Sequence, residues 1–287
     1  MNKRGHQSKT GSRFLLSPFI LTIILSLAGL LLILALVAPA IWRVQLAASF
    51  PVIFGTFLAV HFVNAFQEFF FHRYVLHAPL IPFLTHFYKQ HTLHHALTRV
   101  VAKKVAGAGA REGLRIENKY SIVEEAQHRA SFFPWYALLA FGIYSTPFFI
   151  LAQWLLPSAP IFLAGFAAVA WSLFLYEVIH ALEHLPFEKW RPFLEHPRWG
   201  QWWKMFYAFH LRHHADIRSN EAISGFFGLP IADFVFGTWI NPIALYEDGR
   251  IVGTNEFKSP TPRFIGWLDK LADKRIRIKR KRESNTA

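Results

Sequence analysis

The sequence contains no cysteine, which excludes disulfides and thiolate metal sites. Charge is scarce too. Only 17% of the 287 residues are charged against 53% hydrophobic, with a mean hydropathy of +0.25, too apolar for a soluble domain wrapped in an ordinary polar shell. No acidic residue occurs before Glu68, and residues 14–42, 44–67 and 130–176 carry no Lys, Arg, Asp or Glu.

An apolar stretch of about 18 residues or more is long enough to cross a bilayer as a helix. Each of the first two uncharged runs therefore supplies one span, and the third, 47 residues long, supplies two. Within it LPSAP, residues 156–160, stops a helix with two prolines and provides a tight turn. The expectation is an all-α integral membrane protein with four spans near 17–39, 48–70, 132–156 and 161–182, paired as two hairpins. The first run is too long for the apolar region of a secretory signal, about 7 to 15 residues.

The distribution of basic residues predicts the topology. Of 31 Lys and Arg residues, four lie in 1–13, nine in 69–130 and 17 in 185–287, leaving Arg43 in the first hairpin turn. By the positive-inside rule these three segments face the cytoplasm. The chain thus divides into a basic N-terminal segment (1–16), a membrane domain (17–240) with a histidine-rich helical cap, and a basic tail (241–287), with both termini and the cap cytoplasmic. This topology accounts for much of the net charge of +13. RIRIKRKR at 275–282 reads as a juxtamembrane segment held to anionic lipid, and nucleic-acid binding is not expected.

Histidine is abundant, with 15 residues, ten of them in four short boxes. HRYVLH (His72, His77) closes the second span, and HTLHH (His91, His94, His95) follows it. HALEH (His180, His184) closes the fourth span, and HLRHH (His210, His213, His214) follows that. On a helix, residues three or four apart share a face and can grip one ion, whereas neighbours point about 100° apart. Each HH pair therefore predicts two metals side by side. His72 and His77 would lie about 140° apart on a straight helix, which fits the same idea or a helix that ends between them. His61, with Asn64 and Glu68 on its face of the second span, reads as structural; His6, His86, His128 and His196 stand alone and read as structural or exposed.

Imidazole suits iron, zinc, copper and nickel, but ten ligands exceed the three or so of a catalytic zinc. A pair of irons fits the number, and unlike zinc it can pass electrons to O2 to oxidise an unactivated C–H bond. HALEH also has the H-x-x-E-H form of a zinc hydrolase with Glu183 as base, but that reading uses two of the ten clustered histidines. Metal transport would want ionisable groups deep in the spans, where His61 is alone.

The four boxes in this order, with HHADIRSNEAISGFFGLPIADFVFGT at 213–238, resemble the fatty acid hydroxylase/sterol desaturase superfamily of membrane di-metal oxygenases over about residues 48–240. The eight-histidine desaturase pattern fits less well. The resemblance implies that the ten box histidines hold a di-iron site, with zinc taken up on overexpression, that O2 is the cosubstrate, and that a fatty-acyl or sterol-like lipid is hydroxylated or, alternatively, desaturated. No haem, flavin or iron–sulfur motif is visible, so electrons come from a separate cytochrome b5 or ferredoxin-type donor.

Metal-bound histidines usually donate their second N–H to a neighbouring group. Glu177, one turn before His180, is the first candidate for that role, followed by Asn220 and Asp233, the last of which also reads as a turn cap. Residues 96–130 are longer than the family's usual connection and read as a surface loop and helix or an insertion, with SIVE (121–124) as a capping box leading into span three. Trp202, Trp203 and Phe206 read as an interfacial aromatic belt.

Overall fold

The computed structural model describes residues 16–105, 113–242 and 245–284; His6 and the basic segment ahead of the first helix lie outside the described residues. Four helices are long and apolar enough to cross a membrane: α1 (Leu16–Val37), α3 (Phe50–Phe71), α6 (Ala137–Leu155) and α7 (Ile161–Glu183), with α2 (Pro39–Ala47) between the first two. The remaining helices are α4 (Thr85–Leu97), α5 (Glu125–Ser131), α8 (Phe187–Leu194), α9 (Gly200–Ala215), α10 (Ile231–Phe236) and α11 (Gly266–Ser284). LPSAP acts as expected, with Leu156 to Pro160 forming the turn between α6 and α7, whereas Pro39 opens the helix α2 and so places Arg43, read as part of a turn, inside a helix.

The central helix is α7. It packs against α3, α6 and α1, whereas α1 lies against α6 and α7 and makes little contact with α3. Its apolar contacts run through Phe162, Phe166, Val169 and Leu173, which meet Leu30 and Leu34 of α1 and Phe149 of α6. Polar pins fix the register. Buried Gln45 donates to the Gln153 carbonyl oxygen at 2.9 Å, and its own oxygen accepts from Phe162 N and Leu163 N at 3.0 and 3.1 Å, satisfying amides that a helix N-terminus otherwise leaves unpaired. His61 Nδ1 donates to Ser172 Oγ at 3.0 Å, while its Nε2 accepts from Phe227 N at 3.3 Å. Glu68 accepts from Ser224 and Gly225 at the same loop. His61, Asn64 and Glu68 thus hold α3 to α7 and to the loop after α9.

The chain is mostly helix, but not wholly so. β1 (Val100–Val105), β2 (Gly113–Asn118) and β3 (Ile251–Gly253) form an antiparallel sheet in the order β1-β2-β3, with Ile116 paired to Ala102 and Leu114 to Val252. Residues 96–130, read as a loop and helix, thus hold the paired strands β1 and β2 followed by the helix α5. The apolar residues Val100, Leu114 and Ile116 are buried with Trp190, Tyr207 and Leu211, and β-branched Val100, Val101 and Ile116 suit a pleated, half-buried surface. The N-cap is Glu124, three residues beyond Ser121: its N–H is held by Gln127 Oε1 at 2.9 Å. The helix it starts stops at Ser131 and does not run into α6, since Pro134 disfavours helical geometry in the residue before it.

Candidate metal centre

At the C-terminal end of α3 the chain makes a π-helical turn, His72–Leu76, closed by His77 N donating to His72 O at 3.0 Å. This wider turn resolves the awkward spacing of the first box. An i→i+5 bond brings residues five apart over one another, and the His72 and His77 rings stack at 4.9 Å and 26°. The other boxes use ordinary helix geometry. His91, His94 and His95 lie on α4, His180 and His184 at the end of α7, and His210, His213 and His214 on α9.

All ten box histidines come together, in two groups of five. His72, His77, His91, His95 and His213 form one; His94, His180, His184, His210 and His214 form the other, with ligand atoms in each group within 4.8 Å of one another. The partition is reciprocal. Each group takes both histidines of one span-end box, the first and fifth positions of the HxxHH box that follows, and the fourth position of the other HxxHH box. His94 and His213 are the residues exchanged. The stacked rings of His95 and His214, 4.0 Å apart, bring the two groups into contact.

Nε2 atoms converge within each group. His72 and His91 approach to 3.0 Å, His77 and His213 to 2.9 Å, His91 and His95 to 3.1 Å. In the second group His94 lies 3.2 Å from both His180 and His214, and His210 lies 3.1 Å from His184 and 3.0 Å from His214. Two nitrogens bound about 2.1 Å from one ion are about 3.0 Å apart at right angles and about 3.4 Å apart in a tetrahedron. The spacing fits five donors around an ion that keeps a sixth position.

The tautomers decide whether these contacts are hydrogen bonds. His94 Nδ1 meets Ser131 Oγ at 2.8 Å, and that hydroxyl already donates to Gln127 O at 2.6 Å, so it accepts from His94. His214 Nδ1 meets Thr98 Oγ1 at 3.3 Å, and Thr98 already donates to His94 O at 2.6 Å. Both rings therefore carry their proton on Nδ1, and two bare Nε2 lone pairs face each other. Neutral imidazoles have no second proton to bridge that gap; a cation between them removes the repulsion. Three more rings are set the same way: His72 Nδ1 donates to Glu221 O at 2.6 Å, His184 Nδ1 to Tyr120 O at 2.7 Å and His213 Nδ1 to Ser219 O at 2.8 Å. The donor set fits a pair of metal ions.

The electrostatics match. Burial first, then the neighbouring imidazoles, holds His77, His91, His94, His95, His210, His213 and His214 well below the ordinary imidazole range. Burial likewise pushes His184 down to about 3, against the opposing bond to Tyr120. Neutral imidazole is the form that ligates metal.

The three carboxylate and amide candidates lie elsewhere than on ligand nitrogens. Glu177 accepts from Phe133 N at 2.9 Å, and its second oxygen, like His180 Nδ1, has no hydrogen-bond partner among the described residues. Asn220, at φ 55°, spans a loop by donating to Phe209 O and Ile240 O and accepting from Ile240 N. Asp233 accepts from Glu221 N, Ala222 N and Thr238 Oγ1 at 2.9, 2.8 and 2.6 Å. It acts as the turn cap, and so orients the Glu221 carbonyl that holds His72. The acceptors actually used are mostly backbone carbonyls, which no residue identity reveals; Ser131 and Thr98 are the two that side-chain identity could have offered.

Arg73, inside the first box, was also unforeseen. It is buried, donates through Nε and Nη2 to Asp269 at 2.9 and 2.8 Å, and through Nη1 to Glu221 at 2.8 Å. The 241–287 segment thus joins the rest of the chain through β3 in the sheet and through Asp269 on α11, which is held by Arg73 beside His72. Trp202 and Trp203 are exposed, and Phe206 packs on Trp190. Comparison with family models, curated proteins and solved structures finds no match to this chain.

Proposed function

We propose that the protein is a membrane-embedded, O2-dependent di-iron oxidoreductase that hydroxylates a fatty-acyl or sterol-like hydrocarbon. The observation that carries the reading is the pair of bare, opposed Nε2 atoms on His94 and His214, set in one of two adjacent groups of five histidines. Bound iron would supply O2 reduction and C–H oxidation. The chain's own residues do the rest: Ser131, Thr98 and the carbonyls of Tyr120, Ser219 and Glu221 aim the ligand nitrogens, and burial keeps them unprotonated and shielded from bulk water. Five neutral donors per ion and no carboxylate ligand leave the site poorly suited to closed structural zinc, which takes four ligands.

The HALEH hydrolase reading is disfavoured because His180 and His184 share their group with His94, His210 and His214. Desaturation would use the same site. The four apolar helices support a membrane location, and the charge distribution supports two hairpins with the histidine end and both termini cytoplasmic. Electrons would come from a separate cytochrome b5 or ferredoxin-type protein.

The test is expression in a host lacking the activity, with lipid extracts compared by mass spectrometry under 18O-labelled O2. The expected result is a new oxidised lipid carrying label from the gas, about two iron ions per purified chain, and loss of product in His94→Ala with membrane insertion unchanged. Label arriving from water would overturn the oxygenase reading.

A further inference from the structure

The chain after α9 does not stay at the histidine end. Its contacts trace a path along α3: Ser224 N donates to Glu68 at 2.7 Å, Phe226 packs on Phe62 at 5.7 Å, and the Phe227 ring lies 4.5 Å from His61. There the chain turns, and α10 carries it back until Phe236 meets Phe69 at 4.9 Å. The tip also touches α7, where Phe227 lies 6.2 Å from Trp171. His61 and Trp171 sit near the middle of α3 and α7. At about 1.5 Å per residue they lie about 16 Å along α3 from His72 and about 13 Å along α7 from His180, so two helices independently place the turn at a similar depth.

This segment suits a dry environment. From Ala222 to Tyr246 the one charged residue is Asp233, and it is buried as the cap of its turn. Phe227, Leu229, Phe234 and Val235 are nevertheless exposed. The backbone agrees. Every N–H from Ser224 to Ile231 has an acceptor inside the protein. Those of Ser224 and Gly225 reach Glu68, that of Phe227 reaches His61 Nε2 at 3.3 Å, and that of Gly228 reaches Ser224 O at 2.8 Å. Phe226 and Leu229 bond each other's carbonyls at 2.9 and 3.1 Å, Ile231 N donates to Leu229 O at 2.8 Å, and Pro230 has no N–H to satisfy. A loop in water has no need of such completeness, whereas hydrocarbon demands it.

The surface continues onto α11. Ile265 and Leu268 pack into the cluster around Phe69, leaving Phe264 and Trp267 exposed at the end of α3. Asp269 then meets Arg73 and Tyr74 past that end, with Lys270 and Lys274 exposed on the same helix. Apolar side chains at mid-depth, aromatic rings at the end of the span and lysines beyond it follow the order of one bilayer leaflet: hydrocarbon, interface, headgroups.

We infer that residues 222–239 form a re-entrant membrane segment, inserted in the bilayer in addition to the four long helices and entering and leaving on the histidine side. Acyl chains cover Leu229 and Phe234, and headgroups meet Lys270 and Lys274. The inference rests on the membrane placement of α3 and α7 and not on the chemistry of the centre. It gives lipid a direct hold on the ligand supports, since the chain enters the segment through Ser219 and Glu221, whose carbonyls accept from His213 and His72.

The test uses the full chain reconstituted in phosphatidylcholine vesicles. The first measurement needs no variant: the protein is photolysed with a phosphatidylcholine carrying a diazirine midway along one acyl chain. Residues 219–250 form a single tryptic peptide, which should take up about tenfold more label than the cap peptide 120–129, because lipid tails reach one and not the other. The second exploits the absence of cysteine. Nitroxides are attached to Leu229→Cys, Phe234→Cys and Lys270→Cys, with Phe148→Cys on the exposed face of α6 and Val123→Cys in the cap as references. Collision with oxygen relative to a water-soluble nickel chelate should be high at Leu229 and Phe234, matching Phe148, intermediate at Lys270 and low at Val123. A ratio at Leu229 equal to that at Val123, or no more label in 219–250 than in 120–129, overturns the segment. Low collision with both agents and spin–spin broadening at Leu229 would assign the face to a second copy of the chain, which also overturns it. A low ratio at Phe148 as well would remove the membrane placement itself, and the inference with it.

Discussion

Ser131 and Thr98 do little that a core serine or threonine could not do, except that each fixes the tautomer of a ligand histidine. Replacing Ser131 by Ala leaves the packing of α5 almost unchanged but removes the acceptor for His94 Nδ1–H, allowing the ring to rotate or take the wrong tautomer. Loss of such a partner costs about 10 to 100-fold in metal affinity or activity. Ser131→Ala should therefore retain a folded protein with weakened metal retention, read as faster loss of added metal to a chelator than in the parent. Glu177→Gln, by contrast, removes no contact to a ligand nitrogen, and its metal retention should match the parent; a loss equal to that of Ser131→Ala would show that Glu177 reaches the centre after all. At this scale the sequence displayed the ligands but not their supports. Spacing alone marks ten imidazoles for one end of the helices, while the carbonyls of Tyr120, Ser219 and Glu221 carry no signature in residue type.

Among the elements, the π-helical turn and α11 are coupled by Arg73. The guanidinium joins Asp269 of α11 to Glu221 of the loop that carries the His72 acceptor, and Tyr74 donates to the same Asp269 at 2.8 Å. Removing one member of a buried ion pair leaves an uncompensated charge and costs about 3 to 5 kcal/mol. Arg73→Met should thus lower the thermal midpoint in detergent, whereas the triple change Arg73→Met/Glu221→Gln/Asp269→Asn should recover a large part of the loss because no unpaired charge remains. The apolar runs and LPSAP made the four long helices legible. The paired strands were not, because Val100, Leu114 and Ile116 are strand residues only given the wall of Trp190, Tyr207 and Leu211 they meet. Nor was the π turn, since a five-residue spacing reads equally well as a helix end.

For the molecule as a whole, gathering so many neutral imidazoles makes stability depend on pH. The folded chain holds eight ligands outside the spans below their ordinary value, so below about pH 6.5 the unfolded chain binds protons that the folded one refuses. Stability of chelator-treated protein should fall as the pH drops through 6.5 toward the depressed folded values, about 3 for His184, opposed in part by the carboxyls of Glu221 and Asp233, which burial holds above their ordinary range. Each histidine contributes up to about 1.4 kcal/mol per pH unit in that window. Thermal midpoints at pH 7.5 and 5.5, measured with and without added metal, check the sign; a rise on acidification would contradict it.

The exchange of His94 and His213 between the two groups also bears on how the chain could be divided. Severed at Ser158, the polypeptide would yield one piece with His72, His77, His91 and His95 plus a stranded His94, and another with His180, His184, His210 and His214 plus a stranded His213. Each fragment would own four-fifths of a centre and a spare part for its counterpart. The two-ion assembly is then a clasp: co-expressed fragments should load metal cooperatively and elute together with about two ions per pair, while either fragment alone should bind weakly and surrender its metal readily to a chelator. Reverse complementation sharpens the point, since a first fragment bearing His94→Ala should fill its own centre yet leave its counterpart's incomplete.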